Sequence, residues 1–358
     1  MYQQPMNSPM SNGLLKKRFA EYKDEISTKP AQRKPNDHAL IIDGLNTFIR
    51  AFSVNPSLNE DGSHVGGLVG FLKSIRFTIN KFKPTRCIIV FDGKGGSKPR
   101  QKVFPGYKGG RKVRSRLNRV VDWTVNPQDE SEAMKLQLSR LVEYLENLPL
   151  TILSIDNLEA DDVMAYASEL VTSQGGQSII YSTDKDFLQM VNKNIEVYAP
   201  VKKKTFTADN IENELKVIPE NYNIVKALLG DNSDGLKGVK GLGIKTIVSQ
   251  FPKLVTEPDM TLDYVFQVCE DNLEGKKIFS KIVHDWDKVE TNYKLMNLHE
   301  SVLDNTEKST ILNIVKEDIP DLQAGAFLHL LDNDKIEGVT KNTEGWLENF
   351  RGLTVFKK

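Results

Sequence analysis

Ala39-Leu40-Ile41-Ile42-Asp43-Gly44 is a run of four apolar residues that meets an acid and a glycine. The same construction returns along the chain. Cys87-Ile88-Ile89-Val90-Phe91 ends at Asp92-Gly93, Leu150-Thr151-Ile152-Leu153-Ser154-Ile155 ends before Asp156, and Ser178-Ile179-Ile180-Tyr181-Ser182 ends shortly before Asp184. Continuous apolar runs of this length suit strands covered on both faces. Helical spacing fills the intervals over 66–82, 132–147 and 160–172. Strand alternating with helix predicts an α/β fold, a parallel twisted sheet flanked by helices and joined by right-handed crossovers.

In such a sheet, ligands bind beyond the carboxyl ends of the strands. Three of the runs lead into an aspartate at that edge, and the fourth leads into Glu159-Ala160-Asp161-Asp162. One acid after a strand is ordinarily a turn or helix cap. Several on one edge repel one another and call for cations, and hard oxygen donors suit Mg²⁺ or Mn²⁺. Further acids stand in Ser182-Thr183-Asp184-Lys185-Asp186 and in Gly230-Asp231-Asn232-Ser233-Asp234-Gly235. The latter loosely resembles a calcium loop but lacks the ligands and the glutamate of an EF-hand.

The chain has 358 residues, 39% apolar and 27% charged, enough for a sizeable core and two packed domains. Nothing approaches the ~20 apolar residues of a membrane span, and the N-terminus has no apolar core of a signal peptide. Two distant cysteines, Cys87 and Cys269, predict no disulfide framework and a reducing cytoplasm. With five scattered histidines, a zinc site is not expected.

Net charge is zero, 48 bases against 48 acids. Distribution says more than the sum. Between Gly93 and Val121 there are ten Lys or Arg and no acid. This stretch carries Lys98, Arg100, Lys102, Tyr107, Lys108, Arg111 and Lys112 among glycines, and reads as a mobile arm that grips phosphates or stacks bases. Later, Lys237-Gly238-Val239-Lys240-Gly241-Leu242-Gly243-Ile244-Lys245-Thr246 enters a helix and reads as a phosphate site, though it is not a P-loop.

Residues 1–37 read as a polar, unstructured extension, with a short helix over 13–26 as the alternative. The α/β core is expected over 38–218 with the basic arm at about 98–130, a helical region with the glycine- and lysine-rich loop over 219–256, and a mostly helical part over 257–358. The apolar ending Asn349–Phe356 reads as a docked or frayed terminus, with a clamp-binding peptide as the alternative.

In their order along the chain, these motifs resemble the 5′-nuclease family, which comprises flap endonucleases, phage 5′-exonucleases and the nuclease domain of bacterial DNA polymerase I. The resemblance runs from about Leu40 to Phe251 and implies a PIN-like fold with a helix–three-turn–helix element. It implies that Asp43, Asp92, Glu159, Asp161, Asp162 and Asp184 hold or orient one ion. Asp186, Asp231 and Asp234, with Asp184, would serve a second. Lys108 and Arg111 would contact the scissile phosphate, and Tyr107 would stack a base. Residues 238–246, through Lys237, Lys240, Gly241, Gly243, Lys245 and Thr246, would hold duplex phosphates, with a potassium ion on the loop carbonyls. The expected partner is branched or 5′-ended DNA or an RNA–DNA hybrid, cut by a monomer of the stand-alone type, with a sliding clamp or single-strand-binding protein as further partners. Rival readings are an RNA-cleaving nuclease of the related toxin fold, a non-catalytic fork-binding protein, and a phosphatase built on Asp43, which would want a second Asp where Leu45 stands.

Overall fold

The computed structural model describes residues 33–110, 117–121, 127–300, 302–336 and 342–357. Pro35–Lys358 forms one compact unit. The other unit, Met1–Lys34, falls almost wholly outside the described residues, and the helix considered over 13–26 with it.

A six-stranded sheet has the order β3-β2-β1-β4-β5-β6. Its strands are β1 (His38–Asp43), β2 (Arg86–Val90), β3 (Thr151–Leu153), β4 (Gln177–Tyr181), β5 (Ile195–Ala199) and β6 (Lys204–Phe206). All neighbours are parallel except β6, which closes one edge antiparallel to β5. Side chains alternate between the two faces. Ala39 and Ile41 enter one core with Ile88, Val90 and Ile180. Leu40 and Ile42 enter the other with Cys87, Ile89 and Ile179. That is why these strands read as unbroken apolar runs. Each fully buried aliphatic side chain contributes roughly 1.5–3 kcal/mol.

The first core lies under α5 (Ala160–Ser173), the second under α1 (Gly44–Val54), α2 (Gly66–Phe82) and α4 (Pro127–Glu146); between β2 and α4 runs the short α3 (Lys98–Val103). Helices α6 (Ile211–Leu215), α7 (Tyr222–Leu229), α8 (Ile244–Gln250), α9 (Lys253–Thr256), α10 (Leu262–Glu270), α11 (Lys277–His284), α12 (Trp286–Met296) and α13 (Asn305–Lys316) continue the first core. Helices α14 (Ala324–Asn333) and α15 (Thr343–Thr354) return to the second face, where Trp346 stacks on Phe327 and meets Phe350 in a tilted ring contact. The terminal stretch is therefore a docked helix, with Phe350 and Leu353 in the core. No described helix is long and apolar enough to cross a membrane.

The chain moves from β1 outward through β2 to β3, then crosses back to β4 on the other side of β1. The switch point of the sheet is thus between β1 and β4. Register sets Asp43 level with Val90, and Ile42 level with Tyr181. Asp92 and Asp184 then stand just past the same edge, one on either side of Asp43.

Candidate active site

Asp43 ends β1 and caps α1, with Oδ1 accepting the Asn46 N–H at 3.0 Å. Its Oδ2 accepts the Ser182 hydroxyl at 3.1 Å, which ties β1 to β4 at the switch point. The same hydroxyl oxygen accepts the Asp184 N–H at 3.1 Å, and Thr183 donates to Asn46 at 2.8 Å. Across β1, Asp92 Oδ1 accepts the first N–H of α5, from Ala160, at 2.9 Å. That bond brings Asp161 to the acidic edge. The sequence motifs carry this scaffold, but Asn46 and Ser182 as its fasteners were missed. Their signal is a polar residue within three positions of an acid, Asn46 after Asp43 and Ser182 before Asp184.

Asp43 is raised to about 6 by burial, partly offset by Asn46 and Ser182, with the fields of Asp92 and Asp184 adding to the rise. Burial, then Asp184 and Asp43, push Asp161 well above the carboxylate range. Among the described residues, Asp43, Asp92, Asp161 and Asp184 form no ion pair. In charge and donor type this quartet fits a hard divalent cation. Among the described residues, however, no three His, Cys, Asp or Glu side chains are placed to hold one ion together as they stand.

Four of the other expected acids have cations already. Asp162 takes a bidentate pair from Arg100 at 2.5 and 2.8 Å. Glu159 receives Lys108 at 2.6 Å, Ser97 at 2.7 Å, the Tyr107 hydroxyl at 2.9 Å and Arg100 at 3.2 Å. Burial acts to raise Glu159, but Lys108 and Arg100 outweigh it and hold the carboxyl below its ordinary range. In this arrangement Glu159 and Asp162 fasten the arm rather than face an ion. Arg100, expected on DNA, is 4% exposed and also donates to the Leu295 carbonyl at 2.9 Å. Tyr107, expected to stack a base, is 3% exposed and packs with Leu236, Leu295 and Met296. A short apolar contact set under the arm, invisible to local patterning, buries both.

Asp186 and Asp231 meet at Lys226, an ammonium on α7 that sequence reasoning missed. Its signal is a lone lysine in the apolar helix Tyr222–Leu229. Asp234 lies in the turn between β7 (Gly230–Asp231) and β8 (Leu236–Lys237), where its carbonyl accepts the Lys108 N–H at 2.8 Å. Arg111 and Lys112 lie outside the described residues. Lys98 and Lys102 are exposed, and Lys98 lines a cavity of about 450 Å³ with Asp92, Lys108 and Glu159.

In the loop after β8, Lys237, Lys240, Gly241 and Lys245 are exposed, Gly243 and Thr246 half-buried. Gly241 has φ +85°, and a Cβ on Gly238 would stand 2.0 Å from the Leu229 carbonyl oxygen, so the loop backbone needs both glycines. Asn292 on α12 holds the loop by donating to the Ala227 and Lys237 carbonyls at 2.9 and 3.0 Å. Helix α8 is only seven residues long, so the exposed lysines, more than a helix dipole, carry the loop's positive charge.

A parallel sheet with an acidic carboxyl edge, a basic arm beside it and a helical region beyond defines the class: a resolvase-like, PIN-like nuclease fold. Residues 38–216, half of the chain, match the family described as the 5′-3′ exonuclease N-terminal resolvase-like domain, and the chain belongs to this 5′-3′ exonuclease family. The 5′-3′ exonuclease of Aquifex aeolicus is 30% identical over 214 residues, spanning 60% of this chain and 68% of its own. The 5′-3′ exonuclease of Bacillus subtilis is 27% identical over 297 residues, spanning 80% and 92%. A flap endonuclease of bacteriophage T5, solved as a pseudo-enzyme–product complex with DNA and metal ions, superposes with a TM-score of 0.59 at 19% identity, covering 82% of this chain and 99% of its own. At that identity the likeness is one of fold.

Proposed function

We propose that the chain hydrolyses phosphodiester bonds of DNA or RNA–DNA near a 5′ end or flap, using Mg²⁺ or Mn²⁺ at the acidic edge, as in primer or flap removal during replication or repair. The observation that carries this is the grouping of Asp43, Asp92, Asp161 and Asp184 about the β1–β4 switch point with no ion pair among the described residues, two of them held above their ordinary range. A divalent ion there would supply the Lewis acidity that activates water and neutralises the phosphorane. The chain's own groups do the rest. Ser182 and Asn46 fix the Asp43 carboxylate. Lys98, exposed beside the cavity with Asp92, would face the phosphate and offset its developing charge, with Lys108 at the cavity wall paired to Glu159. Lys237, Lys240 and Lys245 grip duplex through its backbone, which favours shape over sequence. The product would carry a 5′-phosphate and a 3′-hydroxyl.

Support also comes from family membership and from the metal-bound and DNA-bound relatives that share the fold. The test incubates the pure protein with 5′-labelled flap, nicked, blunt and single-stranded DNA, with Mg²⁺ and with EDTA. Cleavage is expected near 5′ ends only with Mg²⁺. Cleavage that persists in EDTA would sink the reading.

A further inference from the structure

Resting on the nuclease reading and going beyond it, we infer that Lys226 is the built-in cation of the Asp186–Asp231 pair, so that the DNA-free protein presents one strong divalent site rather than two. The Lys226 ammonium lies against Asp186 and 3.1 Å from Asp231 Oδ2. The residue is 8% exposed on α7, among Ile224, Val225, Ala227 and Leu228.

The oxygens of Asp231 are already committed. Oδ2 faces Lys226, and Oδ1 accepts the Ser233 N–H at 2.7 Å and its hydroxyl at 2.6 Å. A carboxylate with three protein donors has little left for an ion. A divalent cation between Asp186 and Asp231 would also have to displace a buried positive charge or sit beside it. The quartet at the sheet edge also accepts hydrogen bonds, Asp43 from Asn46 and Ser182, but among the described residues it forms no ion pair. The family resemblance implies ions at both clusters, and the absence of an ion pair among the described residues singles out the quartet.

The test counts Mn²⁺ bound by the full-length, DNA-free protein, from the EPR signal of the free ion, for wild type, Lys226→Met and Lys226→Arg. Thermal melts in EDTA and in Mn²⁺ run alongside. Wild type and Lys226→Arg are expected to bind one ion tightly, and Lys226→Met two. Lys226→Met should melt several degrees lower in EDTA and recover in Mn²⁺. A variant folded only with Mn²⁺ would support the inference equally. Two tight ions in wild type, or the same count in wild type and Lys226→Met, would overturn it. The nuclease reading is judged separately, by cleavage in EDTA.

Discussion

Arg100 and Asp162 face each other through hydrogen bonds of 2.5 and 2.8 Å, and 5% and 2% of their side-chain surfaces reach water. The pair joins α3 to α5 and, through the Leu295 carbonyl, to α12. Removing one member of a buried ion pair leaves an uncompensated charge and costs about 3–5 kcal/mol. Arg100→Met is expected to lower unfolding stability by about that amount in urea titration, with DNA affinity per folded molecule close to wild type. Unchanged stability with lost affinity would return Arg100 to the phosphate-contact role its sequence suggests.

Asp184 is exposed at the edge and helps hold Asp43 and Asp161 above their ordinary range. Asp184→Asn keeps the shape and removes the charge. Single-turnover cleavage should fall by orders of magnitude, while filter-binding affinity for flap DNA stays near wild type. Comparable turnover would remove Asp184 from the metal site.

The fold was legible because β1, β2 and β4 are buried on both faces, so their sequences carry unbroken apolar runs that end in the functional acids. Strands β5 and β6 were not legible. Ile195-Glu196-Val197 alternates weakly, and Lys204-Thr205-Phe206 is a short charged edge strand of the kind that blunts sheet pairing. In the site, residue type and order marked the acids, but not which ones a base had already claimed. Arg100 reaches Asp162 across 62 positions and Lys226 reaches Asp186 across 40. Local charge cannot tell a base aimed outward at phosphate from one turned inward to a carboxylate.

The raised acids give the metal-free protein a pH signature. Asp43 is near 3.8 unfolded and about 6 folded, so the folded state holds the proton more tightly. Its contribution is present below about pH 4 and is lost as pH rises through 6, on the order of 3 kcal/mol. In EDTA, the Tm of wild type relative to Asp43→Asn should fall between pH 4 and pH 6.5. Saturating Mn²⁺ should abolish that fall. A parallel pair of curves in EDTA would mean that burial, with Asp92 and Asp184, does not hold Asp43 above its ordinary range.

Lys237, Lys240 and Lys245 stand exposed around a loop whose backbone is fixed by Gly238, Gly241 and Asn292. None of the three forms an ion pair among the described residues, so each can meet a phosphate without first breaking an intramolecular bond. Each phosphate contact contributes ~0.9 to the slope of log affinity against log salt. Replacing all three by Ala should lower that slope by roughly 3 for duplex-bearing substrates and weaken binding evenly across sequences. If single-stranded DNA meets the arm rather than the loop, it should keep its slope. A triple variant whose duplex slope matches wild type would place the duplex on another face of the protein.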